Sequence, residues 1–276
     1  MSKNDLKLEM RIVYKGEDTE NNLLPLYDGT RSLFGFSKAF SIASHYLLSG
    51  NVKFQAPAAS KNVEIFLTPS RPGSFDQGIA FFFDHMPEII TGTALTPIIF
   101  KDFIALAFNK AVGREFSPSS SAVNKIKASQ SSDLDALSDA LEGPLKDAHR
   151  TVLGQPNRVH VIGNGRNIVE FTSSSAQYLH DRIVEPQVST LEVSTASYNV
   201  NSKSGRFYVF ELGRTVSFEP AKNASIGDLS PISWSLDQRN RGMPGPILIK
   251  ATKVIATNGD IKKLLLYGCQ MSRQAG

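Results

Sequence analysis

The chain has 276 residues, of which 41% are hydrophobic, so it can form one large domain or two ordinary domains with a real core. Its formal charge of +4 and pI of about 9.1 neither require nor exclude a nucleic-acid partner. The single cysteine, Cys269, excludes an internal disulfide and a cysteine-based zinc site, and it fits a reducing cytoplasm.

No targeting or membrane segment is predicted. The first residues, MSKNDLKLEMRIVYKG, contain no apolar stretch of the kind that a signal peptide needs. The most apolar tract, 79–108, is interrupted by charged residues and prolines, so it cannot span a bilayer as a helix. We therefore expect a cytoplasmic protein without a membrane span.

The first elements are a strand and a long amphipathic helix. Residues 6–14 alternate between apolar and polar side chains, which predicts a strand. Asp28, with Thr30 as its competitor, is the predicted N-cap of the helix, and Gly50 is its predicted end. One apolar stripe at helical spacing consists of Leu33, Phe36, Phe40, Ala43 and Leu47.

Strands and a second helix follow. We predict strands at 52–55, 63–67 and 78–83, and a helix at 100–112 that Gly113 terminates. A strand, a helix and a meander of strands form an α+β layer, to which the later helices are added. Whether the apolar tract from Phe81 to Phe108 is core or an interface stays open at this point.

A serine-rich segment is predicted to separate two domains. Residues 117–132 have the composition of a linker or loop, and Asp133 is the predicted cap of the next helix. Gly143-Pro144 is expected to interrupt that helix. Its narrow leucine seam either closes its own domain or binds a partner, and consists of Leu134, Leu137, Leu141 and Leu145.

The remainder of the chain changes to a period of two. From Arg158 a hairpin is predicted around Gly163-Asn164-Gly165, and later short strands indicate a small antiparallel barrel or sandwich. The predicted domains are an α+β domain at 1–116, a serine-rich linker plus helix at 117–156, and an all-β, barrel-like domain at 157–276. The later elements are a helix at 173–179 and strands at 188–195, 207–210, 215–218, 247–255 and 261–267.

No motif predicts a catalytic, cofactor or metal site. The sequence has no phosphate-binding Walker loop, no G-x-S-x-G and no H-E-x-x-H. No pair of histidines or acids falls at metal-ligand spacing with a second pair to complete a site. The scattered histidines are His45, His85, His149, His160 and His180.

The segment from Trp234 to Lys253 is the candidate for recognition. On the face of a small barrel, an aromatic ring surrounded by cations would hold single-stranded nucleic acid. Alternatively Trp234 fills the barrel core and the bases are solvated, or Arg239 and Arg241 bind an acidic protein surface. The predicted binding residues are Trp234, Arg239, Asn240, Arg241, Lys250 and Lys253.

Two long segments carry a resemblance to a known kind of protein. LYDGTRSLFGFSKAFSIASHYLLSG, followed by EIFLTPSRPGSFD, and the later SWSLDQRNRGMPGPILIKATKVIATNGDIKKL resemble uncharacterised bacterial two-domain proteins described only as domains of unknown function. The resemblance implies an α+β domain followed by a β domain, a bacterial or phage origin, and an association with mobile-element and defence genes. It implies no activity and no catalytic residues.

The sequence therefore predicts a non-enzymatic binding or sensing component of a bacterial or phage multi-protein system, with a link to antiviral defence. A protein partner or a second copy would contact the tract from Phe81 to Phe108. The first alternative is a nucleic-acid-binding protein that uses the C-terminal barrel. The second is a hydrolase or nuclease whose site assembles from distant acids and histidines.

Overall fold

The computed structural model of the chain describes residues 6–16, 23–57, 63–71, 75–83, 85, 87–153, 157–222 and 227–272. Within these residues, ten strands and six helices form an α+β protein, as predicted. The chain divides into two compact units, which we call the N-terminal unit (Met1–His180) and the C-terminal unit (Asp181–Gly276).

The N-terminal unit is built on an antiparallel sheet of five strands in the order β2-β3-β1-β4-β5. Its elements in chain order are β1 (Leu6–Lys15), α1 (Leu26–Ser49), β2 (Val63–Arg71), β3 (Asp76–Phe83), α2 (Pro97–Ala111), α3 (Ser121–Ser129), α4 (Ser131–Ala148), β4 (Arg158–Gly163), β5 (Arg166–Phe171) and α5 (Ser173–His180).

Aromatic rings join the sheet to its helices. The predicted alternation of β1 is confirmed, because Leu8 and Ile12 on one face of the strand are buried. The Phe40 ring of α1 lies 5.3 Å from the Phe81 ring of β3 and 5.2 Å from the Phe108 ring of α2. These contacts place α1 and α2 over the same face of the sheet and bury it.

The long helix begins earlier than predicted. It starts at Leu26 after Pro25, and Asp28 lies inside the first turn instead of capping it. The Asp28 carboxylate accepts a hydrogen bond from Arg150 Nε at 2.9 Å, so a tertiary ion pair uses this side chain. The predicted end at Gly50 is confirmed by its left-handed φ of 72°.

The predicted strand at 52–55 does not form, since residues 51–57 contain no strand. Among the described residues, β2 pairs only with β3 and forms the edge of the sheet. The segment 51–57, which ends in Ala56-Pro57, therefore does not pair with β2.

The serine-rich segment is a helix, not a linker. Within 117–132, α3 buries Val123 and Ile126 against the core. The Asp102 carboxylate of α2 accepts from the backbone N–H groups of Ser119 and Ser120 at 3.1 and 2.7 Å. Although the serine-rich composition indicated a linker, apolar residues at helical spacing and the carboxylate of Asp102 stabilise a helix here.

Pro144 lies inside α4 without interrupting it. Leu141 and Leu145 are fully buried on either side, so packing fixes the helix across the proline. At this crossing Gly35 of α1 has no room for a side chain, because an added Cβ would lie 2.5 Å from the Pro144 carbonyl oxygen. The leucine seam is buried in its own unit, which favours the domain-closing alternative.

The boundary between the units lies later than predicted. The hairpin of β4 and β5 turns at Asn164-Gly165 as predicted, but β4 pairs with β1 and so extends the N-terminal sheet. The N-terminal unit therefore runs to His180, and neither a linker at 117–156 nor a domain starting at 157 is present. Sequence spacing could not show this pairing, because about 150 residues separate the two strands.

The tract from Phe81 to Phe108 belongs mainly to the core. Five of its six phenylalanines are at most 1% exposed, because they fill the space between sheet and helices: Phe81, Phe83, Phe100, Phe103 and Phe108. The sixth, Phe82, alternates to the other face of β3 and is only partly buried. No helix in the described part of the chain has the length and apolarity to cross a membrane.

In its described residues, the C-terminal unit is a closed barrel with one α-helix, so it is not the all-β domain predicted. Five strands close in the order β6-β7-β8-β10-β9, with β8 and β10 parallel. The predicted loop before β9 contains a helix. The elements are β6 (Ile183–Asn199), β7 (Ser204–Val209), β8 (Arg214–Pro220), α6 (Ser230–Asn240), β9 (Ile247–Ile255) and β10 (Ile261–Met271).

Candidate functional site

The topology of the barrel indicates where a ligand would bind. The first strand of the unit pairs with the second and the fourth, the third and fifth run parallel, and a helix lies between the third and fourth. This is the strand order of the oligonucleotide-binding fold. Barrels of that fold bind oligonucleotides on the face of strands two and three, which here are β7 and β8.

Strand β7 presents an aromatic ring on the outside of the barrel. Phe207 and Val209 point into the core and are buried, so the alternation of the strand turns Tyr208 outward. Phe210 follows directly, is 38% exposed, and meets Tyr208 edge to face at a ring distance of 5.6 Å. Two adjacent rings are therefore available to a ligand beside the strand.

Arg239, in the last turn of α6, faces the same place. Its Nη1 donates to Ser194 Oγ of β6 at 3.1 Å, and its guanidinium carbon lies 5.5 Å from the centre of the Tyr208 ring. Within the described residues, no carboxylate lies at salt-bridge distance from Arg239. The serine and the ring hold the guanidinium in position without neutralising its charge.

These groups line one cavity, which we call the Tyr208–Arg239 cavity. Its volume is about 380 Å³, and Met243, 45% exposed, adds an apolar surface. A cavity of this size lies in the range of small-ligand sites. It is lined by Ser194, Tyr208, Phe210, Arg239, Gly242, Met243 and Pro244.

Buried hydrogen bonds fix the helix that carries Arg239. Ser235 Oγ accepts from the backbone N–H of Thr195 at 2.8 Å and donates to the carbonyl of Gly245. One turn earlier, Ile232 is fully buried in the barrel core. The orientation of α6 is therefore set by the barrel itself, and Arg239 is presented from a rigid element.

Of the six predicted binding residues, only Arg239 lines this cavity. Trp234 is partly buried against the barrel core and does not line the cavity. Arg241 forms an exposed ion pair with Asp237 at 3.0 Å, one helical turn away. Asn240 is exposed at the end of α6.

The two predicted lysines lie elsewhere on the barrel. Lys250 is exposed on β9 and stands opposite Thr190 of β6. Thr190 is four residues from Ser194, which corresponds to about 13 Å along a strand. Lys253 lies on β9 opposite Leu264 of β10 and does not line the cavity. The predicted set is therefore divided between the cavity and another part of the surface.

Charge distinguishes the two units. The C-terminal unit contains 12 Lys and Arg residues against 8 Asp and Glu residues, and the N-terminal unit contains 18 of each. The whole formal excess of +4 thus belongs to the barrel unit, and a positive net charge favours the approach of anions.

The N-terminal unit contains a serine–histidine pair that the sequence did not reveal. His149 Nε2 lies 2.7 Å from Ser175 Oγ, and Nδ1 lies 2.6 Å from the Leu145 carbonyl oxygen. A carbonyl only accepts, so Nδ1 carries the proton and Ser175 donates to Nε2. Burial lowers the pKa of His149 to about 4. His149 is 0% and Ser175 is 2% exposed, so a substrate has no access and the pair is structural.

The other histidines belong to different elements. His85 is exposed, His45 Nε2 is buried in α1, and His180 ends α5 beside a small cavity of the N-terminal unit. His160 lies 3.4 Å from Glu170, and burial is the main reason for its lowered pKa. No group of three or more histidine, cysteine or acidic side chains that could hold a metal ion occurs among the described residues.

Tyr208 and Ser194 were missed as site residues. The sequence could have indicated Tyr208, because it lies between the apolar Phe207 and Val209 in a predicted strand. Alternation along the strand would then turn its ring to the outside of the barrel. No local signal marks Ser194, since its role comes from the approach of α6 to β6, 45 residues apart in sequence.

Comparisons with known proteins bear on the N-terminal unit. A family model described as "Domain of unknown function (DUF7946)" matches residues 10–180. The match ends at the residue where the N-terminal unit ends, so it supports the same boundary independently. Searches of curated proteins and of solved structures find no match to this chain.

Proposed function

The chain belongs to the family of the Domain of unknown function (DUF7946), whose description names no activity, and we propose a function from the geometry of the barrel. The protein is a non-enzymatic binding protein that holds single-stranded nucleic acid in the Tyr208–Arg239 cavity. Its occurrence in a bacterial or phage system, including one for antiviral defence, stays a prediction.

The proposal rests on two aromatic rings on the outside of the barrel that lie beside an arginine without a carboxylate partner among the described residues. A base can stack on Tyr208 or Phe210, because every base has a π face. Arg239 then lies beside the stacked base, where it can donate to a phosphate or a base edge. The strand order of the barrel and its charge excess favour the same ligand.

The test is binding of a labelled single-stranded oligonucleotide to the full chain, followed by fluorescence anisotropy. Between about 50 and 200 mM salt, we expect the affinity to fall roughly twentyfold if three phosphates are contacted. Tyr208→Ala should weaken binding about 5- to 150-fold, since a stacked base contributes about 1–3 kcal/mol.

Arg241→Ala is the matched control for Arg239→Ala. Both arginines lie at the end of α6, but Arg241 is paired with Asp237 and Arg239 has no carboxylate partner in the described structure. Arg239→Ala should therefore weaken binding much more than Arg241→Ala does. Absence of binding at low salt, or equal effects of the two variants with unchanged melting, would reject the proposal.

The other functions predicted from the sequence give different results in the same experiment. An acidic protein partner of Arg239 and Arg241 would co-purify while oligonucleotides fail to bind. A nuclease would shorten the oligonucleotide during the measurement, and alanine variants of His45, His85, His160 and His180 would then abolish the cleavage.

A further inference from the structure

A second cavity lies in the N-terminal unit, beside the start of α1 and the end of α4. It has a volume of about 210 Å³, and its wall includes Arg31, Lys146, Asp147 and Arg150. Three cations, one carboxylate and His180 line this wall, so cationic donors outnumber acids in the wall itself. Asp28 and Glu142 pair with two of these cations but do not line the cavity.

The two arginines are held in a way that leaves their outer nitrogens available. Arg31 Nε donates to Asp147 Oδ1 at 3.0 Å, and Arg150 Nε donates to Asp28 Oδ1 at 2.9 Å. Each guanidinium thus uses its inner nitrogen for an internal carboxylate. Its two terminal nitrogens, which form the fork that binds oxyanions, have no partner among the described residues.

Arg150 is fixed by a second contact. Its guanidinium carbon lies 5.9 Å from the centre of the Tyr27 ring, which also lines the cavity. Tyr27 is 71% exposed and Leu153 is 40% exposed, so the cavity joins an apolar wall to a cationic one. Such a wall suits a planar ring or a sugar next to an anionic group.

From this geometry we infer that the cavity binds a small phosphomonoester, with the phosphate between Arg31 and Arg150 and the organic part against Tyr27 and Leu153. The three terminal oxygens of a phosphomonoester can accept from more of these donors than the two oxygens of a carboxylate can. The phosphate oxygens can accept from both guanidinium forks and from Lys146. This inference does not depend on the function proposed for the barrel.

The experiment is calorimetric titration of the full chain with adenosine monophosphate at low salt, and with adenosine as the uncharged control. The nucleotide should bind and adenosine should bind at least about tenfold more weakly, because it lacks the charged acceptor. Excess inorganic phosphate should compete with the nucleotide. Equal binding of adenosine, failure of phosphate to compete, or absence of nucleotide binding would overturn the inference.

Variants assign the binding to this cavity. Arg31→Gln and Arg150→Gln should each weaken nucleotide binding about tenfold or more, whereas Arg150→Lys should recover only part of the loss. Arg158→Gln is the matched control, since Arg158 is also exposed and paired with a carboxylate, Glu170, in the same unit. Unchanged binding in Arg31→Gln and Arg150→Gln, with melting temperatures like the wild type, would refute the site.

The barrel must also be tested as an alternative place for the nucleotide. The double variant Tyr208→Ala/Arg239→Ala should keep the affinity for adenosine monophosphate, although it loses oligonucleotide binding if the proposed function is correct. Loss of nucleotide binding in this variant would assign the ligand to the barrel and overturn the inference.

Discussion

The two units bury their sheets in different ways. In the N-terminal unit, α1 and α2 cover one face of an open sheet and fill the space with phenylalanines. In the C-terminal unit the sheet closes on itself, so its core is internal and the outer face stays available for recognition. The formal charges follow this division, being balanced in the first unit and in excess in the second.

Residues of the same type therefore have different roles in the two units. Phe81 and Phe108 are fully buried beneath helices, whereas Phe210 lies on the outside of the barrel. Substitutions in the first group should therefore change stability, and substitutions around the second should change binding.

Phe81→Ala should lower the free energy of unfolding of the N-terminal unit by about 3–5 kcal/mol, because it leaves a cavity in a packed core. The ring has Phe40 at 5.3 Å and Phe100 at 4.8 Å, so the neighbours cannot collapse into the space without losing contacts with each other. Urea denaturation followed by circular dichroism measures the change.

Phe34→Ala is the control for this experiment. Phe34 is 48% exposed on α1, with Lys38 Nζ 4.0 Å above its ring, so its loss should cost no more than about 1 kcal/mol. A small effect of Phe81→Ala accompanied by a change in oligomeric state would mean that the tract is an interface, as the sequence suggested, and not core.

The buried His149 predicts a loss of stability in acid. Its pKa is about 4 in the folded chain and about 6.5 when unfolded, so between these values the unfolded state binds more protons. Stability is therefore fully present above pH 6.5 and declines as the pH falls toward 4, by about 3 kcal/mol. The free energy of unfolding of the N-terminal unit, measured across this range, gives the slope.

His149→Gln should remove this part of the pH dependence, and the matched variant His85→Gln should not, because His85 is exposed. A slope that persists unchanged in His149→Gln would show that other groups cause it. The same variant tests the structural role of Ser175, which donates to the unprotonated Nε2 only while His149 is neutral.

The sequence predicted those elements whose information is local. Alternation in β1, the stripe of α1 with its stop at Gly50, and the Asn164-Gly165 hairpin are all confirmed, since each depends on residues close in the chain. The errors concern remote contacts. The pairing of β4 with β1 moved the domain boundary, and Asp102 stabilised a helix where composition indicated a linker.

The candidate site shows the same limit. Arg239 was predicted from composition, but the sequence did not show whether a carboxylate would neutralise it, as Asp237 does for Arg241. For Trp234 the sequence left open a binding role or a place in the barrel core, and the side chain is partly buried against that core. The surroundings of Arg239 and of Trp234 depend on how α6 packs against the barrel. The residue pattern of α6 alone does not predict this packing.

A smaller loss of stability than that of Phe81→Ala is expected where the barrel positions its arginine. Ser235→Ala removes the acceptor of the Thr195 N–H and the donor to the Gly245 carbonyl, both buried, so the C-terminal unit should lose about 1–3 kcal/mol. The same change loosens α6, and Arg239 is then held less firmly beside Tyr208. Oligonucleotide binding should weaken although Ser235 does not line the cavity.

Ser233→Ala is the control for Ser235→Ala. Ser233 lies two residues earlier in the same helix and is exposed, so its replacement should leave both stability and binding nearly unchanged. If Ser235→Ala lowers stability and leaves binding intact, the position of α6 does not control the cavity. The contacts of Arg239 with Ser194 and Tyr208 would then be sufficient to hold its guanidinium in place without the Ser235 hydrogen bonds.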